Sequence, residues 1–269
     1  MTVRPDRLVV PDGRRLAYRR LPGDGPGVVF LHGYMSTMEG DKAVALEEHC
    51  RRQGVAFVRY DQAGHGRSSG SIVDATIGGW TDDAVAVLDA LTEGPQILVG
   101  SSMGGGVMLP AALARPERVA GLIGVAAAPD VFAERFATLS DEDRRELERD
   151  GFLRRPSRYD PAGYVYGRAL LEDAARRCLL GRPIAIDVPV RLLHGRRDED
   201  VPWETSRRLA AALTDGRASA GGGADGDAPA RNGGDVRLEI VEDGDHRLSR
   251  PQDLDRLTAT LEELREQVG

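Results

Sequence analysis

The stretch from Pro95 to Leu109 leaves the chain few ways to fold. An apolar run, Ile97-Leu98-Val99, ends in Gly100-Ser101-Ser102-Met103-Gly104, and the sequence resumes as Gly105-Gly106-Val107-Met108-Leu109. That order reads as strand, sharp turn, helix, with Ser102 at the apex. A G-x-S-x-G of this kind needs glycine at both ends, because the turn is too tight for bulk. Its geometry pushes the Ser102 hydroxyl out over the edge of a sheet, with the free N–H groups of a helix N-terminus behind it. Proline at 110 is expected to kink that helix, since it has no N–H and crowds the preceding turn.

The rest of the chain alternates in the same way. Residues 7–20 read as a hairpin around Pro11-Asp12-Gly13, and Gly27 to Leu31 as a strand buried on both faces. A helical pattern from about Glu39 to Gln53 puts Ala43, Leu46 and Cys50 on one face. Val55 to Tyr60 is the next strand, and Thr76 to Leu91 the next helix. Val119 to Ala127, Pro189 to His194 and Val236 to Val241 read as further strands, and Pro251 to Gln267 as the last helix. Strands separated by helices require crossover units, hence an α/β fold with a mostly parallel sheet covered on both sides. Two segments interrupt the rhythm. Residues 129–187 are mostly helical in pattern and sit between two strands, where a cap would emerge. Residues 215–234, rich in glycine and alanine, read as a flexible surface loop.

At 269 residues the chain suits one large domain. A net charge of −7 without a basic block argues against nucleic-acid partners, and no apolar run is long enough for a membrane span. Cys50 and Cys178 read as reduced packing residues. With no hydrophobic leader visible, the expected location is cytoplasmic.

A serine nucleophile needs a base, and the base needs an acid to hold its tautomer. Five histidines are available. His49 lies within a helix and His65 in a glycine-rich loop. His32 and His194 end strands and are both expected near the site. His246 follows the last strand in a loop that returns to the carboxyl edge of the sheet, and is the expected base. Asp198, just past the strand ending at His194, is the expected acid, with Asp200 as its rival and Asp130 a more distant candidate. The oxyanion donors are expected to be the main-chain N–H groups of Met103 and Tyr34, the latter in His32-Gly33-Tyr34-Met35, where Gly33 permits close approach. No metal or organic cofactor is called for.

The order Ser102, Asp198, His246 and these motifs resemble the α/β-hydrolase family across the whole chain. Pro95 to Ala126 and Arg191 to Trp203 resemble in particular the branch of mitochondrial acyl-protein thioesterases and acyl-glucuronide esterases. The resemblance implies the α/β-hydrolase fold with a small helical cap, and the same three residues as nucleophile, acid and base. It also implies ester or thioester hydrolysis through an acyl-enzyme, on a small-molecule ester or an acylated protein, by a monomer or homodimer. Gly106 stands where those relatives carry tryptophan, which implies a wider pocket beside the nucleophile.

A peptidase or an acyltransferase would run on the same three side chains, and a silent binding protein would lack one of them. In the cap, residues 130–150 hold eight acidic residues and four arginines, and residues 151–182 seven arginines against three acids. Most of this charge reads as solvated helix faces. The sharper expectation is that Arg154, Arg155, Arg158 or Arg168 faces the cleft and attracts a substrate carboxylate. Phe132, Phe136, Leu139, Phe152, Leu153, Tyr164 and Tyr166 are expected to divide between an acyl groove and the cap's own core.

Overall fold

The computed structural model describes residues 5–220 and 235–269. The chain enters through an antiparallel pair, β1 (Asp6–Val9) and β2 (Arg15–Leu21), followed by β3 (Asp24–Leu31), α1 (Asp41–Gln53), β4 (Val55–Tyr60) and α2 (Ile77–Leu91). Then come β5 (Gln96–Ser101), α3 (Met103–Ala114) and β6 (Val119–Val125). The insertion holds α4 (Val131–Ala137), α5 (Asp141–Asp150), β7 (Phe152–Arg155), β8 (Tyr164–Gly167) and α6 (Arg168–Arg176). The chain closes with β9 (Val190–Gly195), α7 (Glu204–Ala220), β10 (Val236–Val241) and α8 (Pro251–Val268).

Eight strands form one sheet in the order β1-β2-β4-β3-β5-β6-β9-β10, parallel from β4 onward. The central strands are largely apolar because both of their faces are covered, with Arg59, Gln96, Arg191 and His194 among the buried exceptions. Alternate residues divide cleanly. Val28 and Phe30 of β3 and Ile97 and Val99 of β5 pack with Ala43, Leu46, Leu257 and Leu261 beneath α1 and α8. Val29, Leu31 and Leu98 pack on the opposite face with Trp80, Val107 and Leu209 beneath α2, α3 and α7. At the edge, β10 exposes Arg237 and Glu239, so its pattern alternates instead.

Two expectations need correction. The insertion is not helical throughout, since β7 and β8 pair as an antiparallel hairpin. Strands of four residues flanked by arginine, proline and glycine carry too short a pattern to read. Within 215–234, the helix α7 runs on through Ala220, while 221–234 lie outside the described residues. Pro110 lies within α3. Cys50 is buried and Cys178 exposed, both unpaired as thiols, and burial pushes the Cys50 thiol up to about 12. No helix among the described residues is long and apolar enough to cross a membrane.

Candidate active site

Parallel strands deliver their following loops to one rim, and four of these loops meet there. Gly33 and Tyr34 follow β3, Ser102 follows β5, Asp198 follows β9 and His246 follows β10.

The turn between β5 and α3 has no room for side chains at its glycines. A Cβ at Gly100 would lie 2.5 Å from the Gly104 carbonyl oxygen, and one at Gly104 only 2.1 Å from that of Leu31. Ser102 sits at φ 52°, ψ −116°, a conformation that costs an L-residue on the order of 1–3 kcal/mol. Its surroundings hold it there. Its N–H donates to Val125 O at 2.9 Å, and its carbonyl accepts from Ala128 N at 3.0 Å and Gly106 N at 3.2 Å.

The hydroxyl points at an imidazole. Ser102 Oγ lies 3.0 Å from His246 Nε2, and His246 Nδ1 lies 2.7 Å from Asp198 Oδ2. With Nδ1–H donating to the carboxylate, the Nε2 lone pair accepts the serine hydroxyl. Asp198 takes three further hydrogen bonds. His194 Nε2 reaches the same Oδ2 at 3.0 Å, and the N–H groups of Asp200 and Val201 reach Oδ1 at 2.9 and 2.8 Å. Burial alone would raise the carboxyl, but donation from His194 and His246 outweighs it and holds Asp198 well below the usual carboxylate range. His194 is oriented in turn by Ser206 Oγ at 2.7 Å from its Nδ1.

The two rival acids are employed elsewhere. Asp200 is exposed at the cleft mouth, 2.5 Å from the Tyr159 hydroxyl. Asp130 accepts the N–H groups of Leu179 and Leu180 at 2.8 Å each, clasping the chain where it leaves the cap. Asp198, Asp200 and His246 each offer a donor atom within 4.8 Å of the others. The Asp198 oxygens and both His246 nitrogens are already committed to hydrogen bonds, an arrangement suited to relaying a proton.

Met103 is the first residue of α3, so its N–H has no carbonyl a turn behind it. Across the cleft, a Cβ at Gly33 would stand 3.4 Å from Ser102 Cβ, which shows how closely the loop carrying Tyr34 approaches. Two buried histidines support that loop. His32 Nδ1–H donates to Gly33 O at 2.7 Å while its Nε2 accepts from Gln62 N at 3.1 Å, and His65 Nε2 accepts from Met35 N at 3.1 Å. Burial keeps both rings neutral, pushing His32 down to about 4 and His65 to about 3. His49 is remote from the cleft, paired with Glu262.

A cleft of about 500 Å³ opens above Ser102, lined by Tyr34, Met103, Phe132, Tyr164 and Tyr166 among others. Leu153, Phe136 and Leu139 pack into the core instead. Of the four cap arginines singled out by sequence, three turn away. Arg154 bonds the Ala162 carbonyl, Arg155 pairs with Asp143 and Glu146, and Arg168 with Glu172. Arg158 does line the cleft but is paired with Glu199 and Asp200. Arg135, hidden in an acidic stretch of sequence, also lines it, with its guanidinium 4.3 Å above the Tyr166 ring. Nor does Gly106 widen the cleft. A Cβ there would lie 2.9 Å from Pro129 Cα, so the glycine admits the chain returning after β6.

Comparison with known proteins agrees with this architecture. The profile described as Hydrolase_4: Serine aminopeptidase, S33 matches residues 26–140. The chain is 47% identical over 201 residues to the protein of Rattus norvegicus named palmitoyl-protein thioesterase ABHD10, mitochondrial, covering 74% of this chain and 68% of the relative. The chain thus spans about two thirds of that relative's length. Among solved structures, alpha/beta hydrolase domain-containing protein 10 from mouse superposes with a TM-score of 0.84 at 40% identity, covering 99% of this chain and 100% of that one. A putative hydrolase from Agrobacterium vitis S4 gives 0.86 at 33%, covering 98% and 100%. The mammalian relatives are mitochondrial by name, which overturns the cytoplasmic location expected from sequence. With a relative of this identity matched over most of both chains, the protein belongs to the α/β-hydrolase family and is a serine hydrolase.

Proposed function

We propose that this protein hydrolyses carboxylic esters and thioesters through an acyl-enzyme on Ser102. The observation that carries the reading is the unbroken relay from Ser102 Oγ through His246 to the buried Asp198 carboxylate, at 3.0 and 2.7 Å. In the first half-reaction Ser102 Oγ attacks the acyl carbonyl as its proton passes to His246 Nε2. The Tyr34 and Met103 N–H groups receive the negative charge that develops on the carbonyl oxygen. Asp198 holds the imidazole in the accepting tautomer and stabilises the imidazolium that forms. Collapse of the tetrahedral adduct breaks the acyl–sulfur or acyl–oxygen bond, and the leaving group takes the proton from His246. Water, deprotonated by His246, then attacks the acyl-serine and releases the carboxylic acid.

Aromatic side chains from the cap over the nucleophile supply an apolar wall for an acyl chain. The similarity to palmitoyl-protein thioesterases supports long-chain acyl groups on a protein thiol as the substrate class. Acyl-glucuronide esters are the small-molecule counterpart. Assay against p-nitrophenyl esters and acyl thioesters of graded chain length, with aminoacyl amides alongside, tests the reading. Esters and thioesters should turn over and amides should not, and wild type but not Ser102→Ala should label with a fluorophosphonate. That substitution should lower kcat by roughly 10⁶. Turnover of the amides in preference to the esters would establish a peptidase in its place.

A further inference from the structure

Tyr34 sends its side chain away from the sheet and into the cap. Its hydroxyl donates to the main-chain carbonyl oxygen of Val165 in β8. The ring lies over Tyr166, with centroids 5.6 Å apart and planes at 18°, and meets Phe132 edge-on at 5.0 Å. Burial pushes the Tyr34 hydroxyl well above the usual phenol range, so it stays a donor. The rest of the loop is held from the sheet side. Met35 N donates to His65 Nε2 at 3.1 Å and Met38 N to Asp61 Oδ1 at 2.8 Å. Both of those bonds lie beyond Tyr34. Before it, the carbonyl of the Gly33–Tyr34 peptide accepts from His32 Nδ1 at 2.7 Å and Ser36 N at 3.2 Å. That peptide, and with it the aim of the Tyr34 N–H, is therefore held at its carbonyl end from the sheet and at its Tyr34 end by a ring and hydroxyl fixed in the cap.

We propose that Tyr34 is a positioning residue through its side chain: the hydroxyl bond to Val165 and the stack on Tyr166 let the cap hold the Tyr34 end of the peptide whose N–H faces the developing oxyanion. This rests on the reading of Ser102 as nucleophile and the Tyr34 N–H as oxyanion donor. Its consequence is that the cap contributes to rate even for acyl groups too short to touch it. The plainer role for the same atoms is a groove wall with a satisfied hydroxyl, and the two differ in what they do to short substrates.

The test compares Tyr34→Phe with wild type on p-nitrophenyl acetate and p-nitrophenyl octanoate. If the hydroxyl positions the N–H, kcat should fall about tenfold for both esters, with KM for the acetate unchanged within twofold, the effect of one lost hydrogen bond on a transition state. The inhibition constant of a short trifluoromethyl ketone, whose adduct with Ser102 places an oxyanion at the same N–H, should rise by a similar factor. Full kcat on the acetate, with a raised KM for the octanoate alone, would reduce Tyr34 to a groove wall. Should Tyr34→Phe not fold, Tyr166→Leu keeps the hydroxyl and removes the stacked face. The same loss on the acetate is expected, and an unaltered acetate kcat would overturn the proposal. Failure of the underlying reading looks different: wild type itself would be inert toward both esters and resist fluorophosphonate labelling.

Discussion

His194 donates through Nε2 to Asp198 Oδ2 at 3.0 Å, and neither side chain is exposed to solvent. The carboxylate that orients His246 is thus itself oriented by a second imidazole. Replacing His194 by alanine removes a hydrogen bond to a charged group, worth roughly 1.5–3 kcal/mol. The variant should unfold at lower urea by about that free energy at pH 7. It should also hydrolyse p-nitrophenyl acetate about tenfold more slowly, because the Asp198 carboxylate loses one of the contacts that fixes it. Wild-type stability in equilibrium urea unfolding would show that the second imidazole is a bystander.

A backbone argument gives the second prediction. A Cβ at Gly104 would stand 2.1 Å from Leu31 O and 2.7 Å from His32 O, both main-chain atoms of neighbouring structure. Gly104→Ala must therefore push α3 away from β3. We expect a loss of at least 3 kcal/mol, beyond ordinary overpacking, and no fluorophosphonate labelling. Calorimetry and labelling together check this, and an alanine variant with wild-type Tm and reactivity would contradict the packing described.

Acid should destabilise the fold well above the range where carboxylates protonate. His32 and His65 titrate near 4 and 3 in the folded protein because burial disfavours their charged forms. Unfolded, each takes a proton near 6.5. Below 6.5 the unfolded chain therefore binds protons that the native state refuses, and stability falls with pH. At pH 5 each ring costs roughly 2 kcal/mol. Asp83 acts in the opposite sense. Its burial raises it to about 6, so the native state gains a proton that the unfolded chain does not take until near 3.8, returning about 1.5 kcal/mol at pH 5. The Asp198 contribution is lost only at lower pH, as its unfolded form protonates. The net loss between pH 7 and pH 5 should be roughly 2.5 kcal/mol in urea unfolding, and a flat profile over that range would contradict the burial of the two rings.

Arg135 carries the last prediction. It lines the cleft against Tyr166 with no acidic partner among the described residues, whereas Arg158 and Arg247 at the same mouth are paired with Asp200 and Asp41. An unpaired guanidinium favours an anionic group on the substrate. Arg135→Gln should lower kcat/KM for a p-nitrophenyl monoester of a dicarboxylic acid about tenfold more than for a neutral ester of equal length. The difference should shrink as salt is raised. Equal losses on the two esters would assign Arg135 to packing on Tyr166.

The sheet was legible in sequence because the buried strands are short, mostly apolar runs separated by helical patterns. The meeting of Ser102, Asp198 and His246 at one edge was legible because parallel strands return their loops there, so order along the chain stands in for proximity. What escaped depends on contacts between distant segments. The second partner of Asp198 is a histidine whose sequence context says only that it ends a strand. Of the four arginines named only Arg158 reaches the cleft, and it is ion-paired; the cleft arginine without an acidic partner among the described residues is Arg135, which an acidic neighbourhood in sequence conceals. At Gly106, the missing side chain is explained by the Ala128–Pro129 backbone, which no local pattern reveals. The hairpin β7–β8 was lost for want of length.

Cap residues Leu147, Leu153, Leu170 and Leu171 belong to the same continuous apolar cluster as Leu98 and Leu122 of the sheet. Swinging the insertion away as a rigid door would therefore wet the interior of the whole molecule. Substrate reaches Ser102 through the open cleft with the cap in place, and the roof and the floor of the cleft should melt together in a single cooperative transition.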